Sequence, residues 1–375
     1  MTLELLAMSD TAVVATGTPA IQAIRLYHRE ANRWVSATVP AKGSVWDKLQ
    51  EADGQIDRTM QEMLNPNASG YLAAFRLIAK PLYDSIFSPE LNEIVQAAAV
   101  PEADGSPPTL RLHLGSGLDI VPWELLHDGT DFLGLRFQIS RLPMVSGGPA
   151  ASNGQPVPVN RVVSILAKNL VAAPLRDTWQ HTFDGSVKNG TTVICQPTDG
   201  HDDFADIQTL QNTGNGIGDV IHLTCHGIQN GTRRYWTLDH TQGEKILWTI
   251  LPTQGDMTFA IHDNAPLVFA NACASAVGVG GGGAAAGWFN ALGEGFGWSF
   301  YDGGARAFIG TFAPVTDRVA ISFAKRFFET ALGQQRSVGQ SLLETKQAYR
   351  AENEPDPSWL FYCLYGDAST TFAPV

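Results

Sequence analysis

Five short apolar runs in the second half of the chain constrain the fold more than any other feature. They are residues 161–167, 191–195, 219–224, 266–272 and 307–310. Runs of this kind read as strands buried on both faces. Helical patterns lie between or after them, at 288–301, 318–332 and 337–352. Strands alternating with helices point to an α/β fold, a mostly parallel sheet flanked by helices. Sites in such folds lie at the carboxyl ends of the strands.

The first half mixes strands and helices. Residues 20–27 and 34–39 alternate apolar and polar positions around a polar turn, the signature of a hairpin. Helices are expected over 45–63 and 70–87, separated by the breaker Asn65-Pro66-Asn67, and a short strand over 110–114. Residues 146–158, rich in Gly, Pro, Ser and Ala, read as a linker or long loop. It divides the chain into an N-terminal supporting lobe, 1–148, and a C-terminal lobe, 158–375, that carries the chemistry.

Of the 375 residues, 44% are hydrophobic and 17% charged, a globular composition. No apolar run reaches the roughly 20 residues of a membrane span, and the start Met1-Thr2-Leu3-Glu4 is unlike a signal peptide. A cytoplasmic protein without membrane contact is expected. The formal net charge of −12 argues against nucleic acid as a direct partner. The four cysteines, Cys195, Cys225, Cys273 and Cys363, lie far apart and form neither a disulfide framework nor a zinc motif. No metal or organic cofactor is implied.

Two strand ends hold candidate chemistry. One apolar run reaches His226-Gly227, the other Asn271-Ala272-Cys273. A thiol nucleophile needs a base or electrostatic partner to raise its thiolate fraction, and imidazole serves both needs. If the two strands are adjacent and parallel, Cys273 and His226 lie roughly 5 Å apart. Gly227 would then offer an N–H to a developing oxyanion, together with that of Cys273. His222, mid-strand and one pleat deeper, reads either as a packed residue or as one that supports the site from behind, and Cys225 as buried. The glycine-rich stretch 278–283 matches G-x-G-x-x-G but lacks the succession of strand, turn and helix that binds a dinucleotide. A mobile loop beside the nucleophile is expected there instead.

These residues fit a known pattern. Val121-Pro122-Trp123-Glu124-Leu125-Leu126, Phe132-Leu133-Gly134, His226-Gly227, Asn271-Ala272-Cys273, Pro314-Val315-Thr316-Asp317, Trp359-Leu360-Phe361 and Gly366-Asp367 follow one another in order. In this the chain resembles the CHAT domain family of caspase- and separase-like cysteine peptidases. The resemblance implies a caspase-like fold and an endopeptidase that cuts specific protein substrates through a His226/Cys273 dyad. It further implies activation by a partner or sensor protein, in bacterial stress or antiviral defence. Asp317, Asn271 and Ser275 are the substrate contacts it suggests, with Asp317 selecting a basic residue before the scissile bond. Asp317 also directly precedes a helical pattern, so a capping role stands beside the specificity role. The alternative to an enzyme is a catalytically silent scaffold of the same fold.

Overall fold

The computed structural model describes residues 2–9, 21–28, 33–37, 51, 71–101, 103, 105–115, 118, 121–144, 154–166, 173–187, 190–196, 218–224, 226–230, 233–237, 246–249, 265–271, 296–313 and 315–375. In chain order the first strands are β1 (Thr2–Ser9), β2 (Ile21–His28), β3 (Arg33–Ala37), β4 (Thr109–Leu114), β5 (Gln138–Pro143) and β6 (Val157–Val159). There follow β7 (Arg161–Leu166), β8 (Thr192–Gln196), β9 (Val220–Thr224), β10 (His226–Asn230), β11 (Arg233–Thr237) and β12 (Ile246–Thr249). The last are β13 (Leu267–Asn271), β14 (Ala307–Thr311), β15 (Tyr362–Gly366) and β16 (Phe372–Pro374). The helices are α1 (Tyr71–Ile86), α2 (Pro89–Ala98), α3 (Leu133–Arg136), α4 (Ala173–Ser186), α5 (Phe296–Asp302), α6 (Asp317–Phe328) and α7 (Val338–Ala351).

Eleven strands join in one sheet, in the order β3-β2-β1-β4-β5-β15-β14-β13-β9-β7-β8. Its centre is parallel, apart from the antiparallel pair of β14 and β15, and the N-terminal hairpin adds an antiparallel edge. This is the α/β fold expected, with all five apolar runs as strands of the sheet. β9, β13 and β14 are buried at every position because helices cover both faces. β1 instead alternates, with Leu3, Leu5 and Ala7 inside, because its sheet face is covered on one side only.

The sheet does not stop at the boundary between the two expected lobes. β5 of the first pairs in parallel with β15 of the second, opposing Arg141 to Tyr365. One contiguous hydrophobic cluster runs from Leu3 to Phe372 and draws on both. The stretch read as a linker closes in β6, which pairs with β16 at the chain end. Gly366 ends β15 with φ at +125°, and a Cβ there would stand 2.5 Å from the Arg306 carbonyl oxygen, so only glycine fits.

The expected helix at 70–87 is α1, started one residue late and carried through Pro81. That expected at 318–332 is α6, closing in a π-helical turn, Glu329–Gly333. The helix expected at 45–63 lies outside the described residues apart from Glu51. Strands β1 and β5 and helices α2 and α4 are elements the sequence patterns did not announce. α2 has the local signals nonetheless: the Ser88 hydroxyl accepts from the Leu91 N–H at 3.4 Å, and Pro89 opens the first turn.

Candidate active site

The two strands that lead to His226 and Cys273 are parallel neighbours. β13 pairs with β9 in a register that sets Phe269 opposite His222 and Asn271 opposite Thr224. Neighbouring strands lie about 4.8 Å apart. His226 is two residues beyond Thr224 and Cys273 two residues beyond Asn271, so both follow the same level of the sheet's carboxyl edge. After Thr224 the chain leaves the main sheet, and His226 and Gly227 open β10, opposite Thr237 and Trp236 of β11. β10 is the edge of a three-stranded sheet in the order β10-β11-β12. Cys225, Cys273, Ser275 and the glycine-rich stretch 278–283 lie outside the described residues.

Helix α6 brings its first turn to the same edge. The Asn271 Nδ2 donates to the Ala320 carbonyl at 3.2 Å, and Ala320 is three residues beyond Asp317. Asp317 is the first helical residue and is exposed, rather than the half-buried carboxylate a closed pocket would hold. Nor is it the cap. Thr316 holds that position in extended geometry, its hydroxyl oxygen facing the Val319 N–H at 3.5 Å. The same hydroxyl donates to the Asp356 carboxylate, which is itself buried and accepts from the Ser358 N–H at 2.9 Å. Threonine wins the position because it can donate and accept at once. An aspartate there would face a second carboxylate.

Behind the strand ends lies a buried polar chain. The Tyr362 hydroxyl donates to Asn271 Oδ1 at 2.8 Å. Asn271 Nδ2 has a second neighbour, His222 Nε2, at 3.3 Å, and the Thr224 hydroxyl lies at the same distance from that nitrogen. His222 Nδ1 meets the Ser164 hydroxyl at 2.9 Å. With Nε2 accepting, Nδ1 carries the proton and donates to Ser164. His222 is fully buried among Trp179, Phe183, Phe269 and Phe328, and burial alone pushes its pKa down to about 3. This is the packed position expected for His222, with more hydrogen bonding than packing requires. The signal was available: Ser164, His222 and Asn271 are polar residues inside apolar strands, and a buried polar group must find partners.

A second buried polar group involves Glu124 of the Trp123-Glu124 motif. The motif forms a 3-10 turn, Trp123–Leu125, and Glu124 pairs with the buried Arg141, whose Nε donates to Oε1 at 3.0 Å. Arg141 Nη2 also donates to the Val121 carbonyl at 3.2 Å. Lys346 of α7 donates to the Tyr362 carbonyl at 2.7 Å, and burial pushes its pKa down to about 8. Among the described residues no group of three or more His, Cys, Asp or Glu could hold a metal ion, and no helix is long and apolar enough to cross a membrane.

The sequence pattern of the family described as the CHAT domain matches residues 76–367. No curated protein sequence matches the chain. Among solved structures, two crystal structures of the Saccharomyces cerevisiae separase–securin complex, at 2.6 and 3.0 Å resolution, share the fold. The first gives a TM-score of 0.53 at 11% sequence identity, the second 0.54 at 12%. Each match covers 97% of this chain and 30% of the matched one, so the chain spans under a third of that protein's length. At such identity the likeness is one of fold, the caspase-like arrangement of a mostly parallel sheet between helices.

Proposed function

Because the chain belongs to the CHAT domain family, we propose that it is a cysteine endopeptidase in which His226 and Cys273 form the catalytic dyad. The observation that carries this reading is the parallel pairing of β9 and β13, with Asn271 opposite Thr224. His226 and Cys273 each follow two residues after that paired level in sequence, which supports reading them as neighbours beyond the carboxyl edge.

In the proposed reaction the Cys273 thiolate attacks the carbonyl carbon of the scissile peptide, and the electron pair of the C=O bond moves to oxygen. The N–H groups of Gly227 and Cys273 hold that oxyanion. β10 is an edge strand, so alternate N–H groups along it point away from β11, which favours such a donor at its start. The protonated His226 then donates to the leaving amine as the C–N bond breaks. Water, losing a proton to His226, then adds to the thioester carbonyl, and the C–S bond breaks to release the carboxylic acid and restore the Cys273 thiolate beside protonated His226.

Asp317 is the proposed selector of a basic residue before the scissile bond. Its helix is tied to the end of β13 through Ala320 and Asn271, and three residues of helix rise only about 4.5 Å. As an exposed carboxylate it holds a cation weakly, by roughly 1 kcal/mol or less, until substrate excludes water from the pair. Ser275 is proposed to line the cleft on the other side of the nucleophile. Asn271 has its amide occupied by Tyr362 and Ala320, so its part in substrate binding is to hold the cleft's floor. The separase of the matched structures is in complex with securin. For this chain a protein partner is likewise proposed, one that switches on cleavage of a dedicated protein substrate in the cytoplasm during bacterial stress or defence.

The test is cleavage of a diverse peptide library by the wild type, Cys273→Ala and Asp317→Asn. Cleavage after Arg or Lys that vanishes in Cys273→Ala and loses its basic preference in Asp317→Asn is the expected result. Cleavage that survives Cys273→Ala would sink the dyad. Silence of the wild type, together with failure of Cys273 to react with a thiolate-selective electrophile, would leave a scaffold of caspase-like fold.

A further inference from the structure

The buried chain Tyr362–Asn271–His222–Ser164 draws on four strands, β15, β13, β9 and β7, and spans β14 between the first two. We propose that it is a positioning device for the proposed dyad: it locks the carboxyl ends of β9 and β13 in register, and so sets the distance between the Cys273 thiolate and the His226 imidazolium. The inference rests on the peptidase reading and gives the buried residues of the chain a role distinct from substrate contact.

Its direction is fixed by chemistry. Tyr362 donates to Asn271 Oδ1, Asn271 divides its two N–H donors between the Ala320 carbonyl and His222 Nε2, and the His222 Nδ1–H donates to the Ser164 oxygen. Every group on Asn271 is therefore used, and each bond reaches a different element: β15, α6 and β9. Asn271 is thus held on three sides, two positions before Cys273 in the sequence. On the other side His222 is fixed between β7 and β13, four positions before His226.

The anchor at the far end is rigid as well. The Tyr362 ring stacks on Phe323 of α6, with centroids 3.9 Å apart and planes within 5°, and its carbonyl accepts from buried Lys346. An apolar row at these positions would pack a parallel sheet equally well, since strands buried on both faces are ordinarily apolar runs. Four polar residues in mutual contact are a costly alternative unless every bond is made, and what they supply is a single geometry. The catalytic strand ends are where such geometry matters, because small displacements of reacting groups carry large losses of rate.

The experiment reads Cys273 itself. The rate of iodoacetamide modification of the Cys273-containing peptide is followed by mass spectrometry across pH in the wild type, Tyr362→Phe and Asn271→Ala. Tyr349→Phe, which removes another part-buried hydroxyl contact against α6, from Ser322, serves as the control. Thermal unfolding of each variant is recorded beside it. In the wild type the inflection is expected below that of a free thiol, about 8.5. Tyr362→Phe and Asn271→Ala should move it up by about one unit, cutting the rate near pH 6.5 by about tenfold. Tyr349→Phe should lower the unfolding temperature and leave the profile alone. A depressed wild-type inflection that stays put in both variants would overturn the positioning role and spare the dyad. An ordinary wild-type inflection would overturn the dyad and this inference with it. If Asn271→Ala does not fold, Tyr362→Phe, which loses one oxygen and keeps its stacked ring, decides.

Discussion

His222 stays neutral at physiological pH because it is sealed from water, and that has a consequence for stability in acid. Its folded pKa is pushed down to about 3 from 6.5. Below 6.5 the unfolded chain takes up a proton that the folded chain refuses, so stability is lost as pH falls from 6.5 towards 3. The slope is about 1.4 kcal/mol per pH unit at its steepest. His222→Gln keeps an amide to meet Ser164 and Asn271 but does not titrate. Urea unfolding between about pH 7 and 4 should therefore show a wild-type slope steeper than the variant's by about that amount. Equal slopes would mean that water reaches the imidazole. At this scale the sequence showed that Ser164, His222 and Asn271 are polar residues in apolar strands. It did not show their mutual contact, because the partners come from strands 58 and 49 residues away. Asp317 is the opposite case. Its place at a helix start was legible, but whether it or Thr316 caps was decided by Asp356, forty residues downstream.

Among the elements, the start of α6 turns on a donor as much as on an acceptor. Aspartate is ordinarily as good a cap as serine, and somewhat better than threonine. Here the Thr316 hydroxyl must also donate to the buried Asp356 carboxylate, which holds the turn before Pro357 in place. Thr316→Ser should thus be nearly neutral and Thr316→Ala should cost about 1–2 kcal/mol. Thr316→Asp, placing a carboxylate against Asp356, should cost more than alanine, which inverts the usual order of caps. Denaturant midpoints of the three variants check this, and an aspartate variant as stable as serine would show that Asp356 accepts its hydrogen bond elsewhere. The strands with long apolar runs, β7, β9, β13 and β14, were legible because burial on both faces makes most of their positions apolar, with only one or two polar residues in each run. β1 was not announced although Leu3, Leu5 and Ala7 alternate cleanly. Its parallel partner β4 lies about a hundred residues on, and a strand's place in a sheet is a property of that partner. The short β5 and helix α4 carry weaker local patterns still and are settled by what covers them.

The whole molecule hinges on a seam that the sequence could not reveal. The two expected lobes meet where β5 pairs with β15, and the register there opposes Arg141 to Tyr365. Side chains reinforce it. Arg141 is fully buried, bound to Glu124, and stands 5.7 Å from the Tyr365 ring centroid. The Ala368 N–H donates to Ser140 at 2.7 Å, and Arg111 of β4 reaches Asp367 at 3.2 Å. Trp123-Glu124 and Gly366-Asp367, distant in sequence, are therefore two sides of one junction, and the order of motifs along the chain records a contact in space. If this junction unites the lobes, the protein unfolds as one unit. Circular dichroism and tryptophan fluorescence should then trace a single coincident transition. Arg141→Met leaves the Glu124 carboxylate buried without its cation and should cost about 3–5 kcal/mol. Arg141→Met combined with Glu124→Leu should cost clearly less than Arg141→Met alone, since no charge is then stranded. Two separated transitions in the wild type would mean that each lobe has its own core despite the shared sheet. In that case the Arg141 variant would shift only one of them.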